Sequence, residues 1–115
     1  MGARKYPRYE SGGQVCIAGV LDTKAILKNL SVRGLCVESS EFLDIVPHSK
    51  YIADVFPETE SNIKPFTVDI ESKWIWTRKD HSESGFIVTI PSGAPAEKPF
   101  NDYLNFLSER GGTVD

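Results

Sequence analysis

Turn formers cut this chain into short pieces, and that punctuation constrains the fold more than any other feature. Ser11-Gly12-Gly13, Gly34, Pro47, Pro57, Pro65 and the trio Pro91, Gly93 and Pro95 interrupt everything before the last stretch. A proline inside a helix removes a backbone donor and clashes with the preceding turn, so a chain broken this often favours short extended segments. The pieces agree. Residues 14–20 predict a strand, and Leu21-Asp22-Thr23-Lys24 turns it back into a second at 25–30. A third begins at Leu35 after Gly34, and a fourth covers 51–56 between Pro47 and Pro57. Residues 57–65 form a polar loop flanked by prolines. The fifth strand, Phe66–Thr77, sets Phe66, Val68 and Ile70 on one face, and by the same alternation Trp74 and Trp76, which assigns both tryptophans to the core. After a turn over 78–84, a sixth strand covers 85–90.

The period then changes. Phe100, Tyr103, Leu104 and Leu107 recur at the spacing of an amphipathic helix over about 98–110. Pro99 suits its first turn, Arg110 its last, and Gly111-Gly112 its stop. The expected fold is therefore all-β with a terminal helix: a small six-stranded antiparallel barrel at 14–115. Residues 1–13 are expected to form a flexible arm. At 115 residues, 40% of them hydrophobic, the chain has material for one domain core.

Composition excludes several classes. The longest apolar run is the seven residues from Val15 to Leu21, against about 20 for a bilayer crossing, so no membrane insertion is expected. No apolar run follows Arg4 and Lys5, and Tyr6 stands where a myristoylation signal has Ser or Thr, so neither export nor lipid anchoring is expected. Cys16 and Cys36 lie in apolar stretches without Cys-x-x-Cys spacing and are expected to be free thiols in the cytoplasm. His48 and His81 stand apart from each other and from carboxylates at ligand spacing, so no metal site is expected. No nucleophile elbow or phosphate loop occurs, and no enzyme activity, catalytic residue or cofactor is expected.

Charge is segregated along the chain. The net charge is −3, yet residues 1–36 hold six cations against two anions, while the remaining 79 residues hold seven against fourteen. A basic segment on an acidic protein suits a small anion better than a long polyanion, so no DNA or RNA partner is expected. The tryptophan and tyrosine content would suit single-stranded nucleic acid on a small barrel, but overall acidity opposes it.

Two motifs stand in the basic segment. Arg4-Lys5-Tyr6-Pro7-Arg8 is an Arg-x-x-x-Arg, and Asn29-Leu30-Ser31-Val32-Arg33-Gly34 is an Asn-x-Ser-x-x-Gly, with 20 residues between Arg8 and Asn29. Arginine offers a planar fork of donors for phosphate or for the O6/N7 edge of guanine. Asn and Ser supply acceptors for the guanine N–H groups, and Gly34 either permits close backbone approach or takes up a positive φ. In this order and spacing the chain resembles the PilZ family of bacterial cyclic di-GMP receptors, over nearly its whole length.

The resemblance implies that Arg4 and Arg8 bind phosphate and guanine edges, and that Asn29, Ser31 and Gly34 complete the site. The family more often has Asp where this chain has the neutral Asn29. Trp76 is similar to an aromatic position that packs on a base. Lys5 and Arg33 are further candidates because they neighbour the motifs and add positive charge. Tyr6 and Tyr9 either stack on guanine or dock on the barrel, and the sequence leaves both open. The implied function is a cytoplasmic cyclic di-GMP receptor or adaptor that signals to a protein partner by ordering its arm. The alternative is an interaction module of the same fold, without nucleotide binding, in pilus or motility assemblies.

Overall fold

The computed structural model describes residues 6–21 and 23–114. Its strands are β1 (Arg8–Glu10), β2 (Gln14–Ile17), β3 (Ala25–Ser31), β4 (Gly34–Ser39), β5 (Lys50–Phe56), β6 (Phe66–Thr77), β7 (Ser82–Thr89) and β8 (Thr113–Val114), with one helix, α1 (Glu97–Arg110), before β8. A 3-10 turn, Thr59–Ser61, lies in the loop expected at 57–65. The sheet runs β2-β5-β6-β7-β4-β3, and pairing of β2 with β3 closes these six strands into an antiparallel barrel. The expected fold class is the one observed. No helix among the described residues is long and apolar enough to cross a membrane.

The extra strands are where sequence and structure part. β1 lies along β3, with Tyr9 opposite Leu30 and Glu10 opposite Asn29, and its other edge pairs with β8. Residues 8–10 of the expected arm thus form a sheet strand, while residues 1–5 lie outside the described residues. Three residues carry too little alternation to announce a strand, and the partner β8 comes more than 100 residues later.

The barrel interior is filled by residues of the six barrel strands, among them Val15, Ile17, Leu27, Val37, Val55 and Ile70. Helix α1 supplies Phe100, Tyr103, Leu104 and Leu107, the four residues of the predicted stripe. Phe66 meets Phe100 and Tyr103 edge-to-face with ring centres 6.3 and 6.5 Å apart, so the helix covers the end of the barrel where β6 begins. Gly111 ends α1 in the left-handed region at φ 82°, a conformation that favours glycine.

One carboxylate ties the helix to β5 and to the link between β1 and β2. The Glu58 side chain is only 7% exposed and pairs with Arg110 at 2.7 Å. It accepts hydrogen bonds from the Tyr103 hydroxyl and from the Gly12 backbone at 3.0 Å. Ser11 Oγ lies 2.6 Å from the same tyrosine oxygen. Arg110 also donates to the Glu10 carbonyl at 3.1 Å. Burial alone would raise the Glu58 pKa, but these donors outweigh it and hold the group below its ordinary 4.5.

Two bulges shape the outer face. In β3 the register steps from Leu27 opposite Val37 to Asn29 opposite Cys36, leaving Lys28 as an extra residue. In β6 it steps from Ser72 opposite Phe86 to Trp74 opposite Gly85, leaving Lys73 extra. Each extra residue reverses the inside-outside parity of the rest of its strand. This overturns the core assignment of the tryptophans: Ile75 turns toward the core, whereas Trp74 and Trp76 are 39% and 52% exposed.

Candidate functional site

The strand registers assemble the site in rows. Asn29, Cys36, Gly85 and Trp74 face one another in turn across β3, β4, β7 and β6. Beyond the inward row of Leu30, Leu35 and Phe86, Ser31, Gly34 and Ile87 form the next row on that face, and continuing the β1–β3 register sets Arg8 opposite Ser31. Two stretches separated by 20 residues meet because β1 is laid against β3.

These rows line an open groove of about 450 Å³, to which Tyr6, Arg8, Asn29, Ser31, Arg33, Gly34, Lys73 and Trp74 all contribute. Arg8, Arg33 and Lys73 bring positive charge, and no lining residue is acidic. Neither Arg8 nor Arg33 is in an ion pair with a described carboxylate. Arg33 lies over the Tyr6 ring, 5.6 Å from its centre. On a chain of net charge −3, a concave surface with three cations and no anion carries a locally positive potential. Asn29 and Ser31 lie buried at its base. Burial, and then the nearby Glu83, push the Cys36 thiol up to about 11, which keeps it neutral.

Of the residues singled out in the sequence, Arg8, Asn29, Ser31, Arg33 and Gly34 come together here. Arg4 and Lys5 lie outside the described residues. Trp76 does not line the groove: it is opposite Glu83, with the Arg78 guanidinium 3.6 Å above its ring, and Trp74 takes the place beside the motif residues. Gly34 is not among the positive-φ glycines. Its role is close approach, since a Cβ there would lie 2.9 Å from the Phe86 carbonyl oxygen of the neighbouring strand. Tyr9 packs against the core instead of facing the groove.

Sequence reasoning missed Lys73 and Gly85. The bulge brings Lys73 to the groove, and Gly85 lets the Trp74 indole lie flat over β7: a Cβ there would sit 2.3 Å from indole Nε1. The sequence puts Gly85 at the first residue of its expected strand, where a glycine is unremarkable; it carries a signal only inside the observed β7. Gly85→Ala is expected to lift the indole off β7 while strand pairing persists. Tryptophan fluorescence in a Trp76→Phe background should shift, with far-ultraviolet circular dichroism unchanged. His81 is also less isolated than expected, because Asp80, Glu83 and Glu38 surround it.

No family model matches the chain, and no curated protein matches it. Among solved structures it is similar to that of the Bacillus subtilis inhibitor of motility (MotI/DgrA), with a TM-score of 0.66 and 14% sequence identity. The likeness is one of fold. The match covers 96% of this chain and 51% of that one, so the chain spans about half the length of the motility inhibitor.

Proposed function

We propose that the groove binds cyclic di-GMP and that the chain is a non-enzymatic receptor or adaptor of the PilZ type. The observation that carries this is the convergence of Arg8 with Asn29, Ser31 and Gly34 in one cation-lined groove beside Trp74. Arg8 and Arg33 offer forks for a phosphate or a guanine edge, Asn29 and Ser31 offer acceptors for guanine N–H groups, and the Trp74 ring offers a stacking face. Arg4 would add the second fork of the first motif. Since Arg8 belongs to β1, and Glu58 and Arg110 join the end of β1 to helix α1, a ligand engaging Arg8 acts on an element already coupled to the helix. Signalling in this proposal runs through β1 to a protein partner.

Calorimetric titration with cyclic di-GMP tests the proposal, with GTP and cyclic AMP as controls. Saturable binding of the cyclic dinucleotide alone is expected, and its absence would remove the receptor assignment. Ser31→Ala should weaken binding by up to about tenfold, the range of one neutral hydrogen bond, with melting unchanged. A normal affinity together with a lower melting temperature would make Ser31 a turn residue instead.

The likeness to an inhibitor of motility favours a second use of the fold, as an interaction module in motility or pilus assemblies without a nucleotide. The same titration separates the two.

A further inference from the structure

One row along the outer face from Cys36 and Gly85, Glu38 stands directly opposite Glu83 on the neighbouring strand. Like charges in that position repel, and such a pair calls for a counter-cation. Lys28, the extra residue of the β3 bulge, meets Glu83 Oε2 at 3.0 Å. From the other side His81 Nε2 approaches the same oxygen at 3.5 Å. His81 Nδ1 lies 2.8 Å from Asp80 Oδ1, and a proton on Nδ1 donated to Asp80 leaves the Nε2 lone pair facing the two glutamates. The ligand atoms of Glu38, His81 and Glu83 all lie within 4.8 Å of one another.

We propose that Glu38, His81 and Glu83 form a site for one divalent transition-metal ion of borderline softness, such as Zn²⁺ or Co²⁺. Tetrahedral ligands about 2.0 Å from such an ion are roughly 3.3 Å apart, so groups that lie within 4.8 Å of one another need close by about 1.5 Å at most. One imidazole and two carboxylates suit Zn²⁺ or Co²⁺ better than Mg²⁺, which prefers oxygen and keeps its water. The fourth position is left for water. Asp80 is a positioning residue: its carboxylate holds the imidazole as the outer partners of metal-bound histidines do. Lys28 is a competitor. Its ammonium holds a Glu83 oxygen that the metal needs, so the site carries its own negative regulator. The inference stands independently of the cyclic dinucleotide.

The test is titration of the purified full chain with Co²⁺ alone, followed by displacement with Zn²⁺ and a parallel Mg²⁺ series. One equivalent of Co²⁺ should bind and give d–d bands of nitrogen and oxygen coordination without an intense thiolate charge-transfer band. Zn²⁺ should abolish them, and Mg²⁺ should not compete. His81→Ala and Glu38→Gln should each weaken binding by about tenfold or more, and Asp80→Asn by roughly tenfold. Lys28→Met should tighten it, an effect that a structural role for Lys28 would not produce. Failure to bind one equivalent, a thiolate band placing the metal on a cysteine, indifference to His81→Ala, or weaker binding by Lys28→Met would each overturn the proposal.

Discussion

Arg8→Ala is expected to weaken cyclic di-GMP binding by about one to two decades, with little change in the melting temperature of the free protein. Loss of a charge-assisted contact costs roughly 1.5 to 3 kcal/mol, which sets that range. The side chain is half-buried at the groove, and no described carboxylate pairs with it, so its removal breaks no ion pair of the barrel. The backbone pairing of β1 with β3 and β8 does not depend on the guanidinium. Arg4→Ala tests the other half of the first motif in the same titration. Unchanged affinity in both variants would take the first motif out of the site.

Glu58→Ala is expected to destabilise the fold strongly for a change outside the apolar core, by about 2 to 3 kcal/mol, or a fall in Tm on the order of 10 °C. It leaves the buried Tyr103 hydroxyl and the Arg110 guanidinium without their common acceptor and frees the Gly12 amide. Glu58→Gln keeps the shape and isolates the charge. Because the folded-state pKa of Glu58 lies below 4.5, its ionised form contributes stability that is complete above the unfolded value. That contribution is lost as pH falls through the lower folded value. Thermal melts from neutral pH to pH 3 should therefore show a steeper acid loss in the wild type than in Glu58→Gln. Equal slopes would mean that the carboxylate adds no charge-dependent stability.

The barrel was legible because its signals are local. Glycine and proline mark the strand ends, alternation marks the faces, and the change of period at Phe100 marks the helix. Boundaries moved modestly: the last barrel strand begins at Ser82 rather than Gly85, and β2 stops at Ile17. What sequence could not supply was long-range pairing and parity. β1 exists only because β3 and β8 flank it, and alternation counted through Lys73 places both tryptophans on the wrong side. The candidate site fared similarly. Arg8, Asn29, Ser31, Arg33 and Gly34 were recognisable by type and spacing, but the choice of Trp74 over Trp76 depended on the bulge. The grouping of His81 with Glu38 and Glu83 depended on the pairing of β4 with β7.

Both bulges insert a lysine, Lys28 in β3 and Lys73 in β6. A bulge absorbs its extra residue locally, and the ladder resumes beyond it in fixed register. Deleting either lysine codon would straighten one strand and remove one positive charge, while Asn29 and Trp74 kept their cross-strand partners. The charge of this face is therefore open to change by insertion and deletion as well as by substitution. Descendants of such a barrel can differ in length by a single residue within a strand, usually the least tolerant place for it, and still share one topology. Alignments that forbid gaps inside strands would then place the groove residues of such relatives one position out of step.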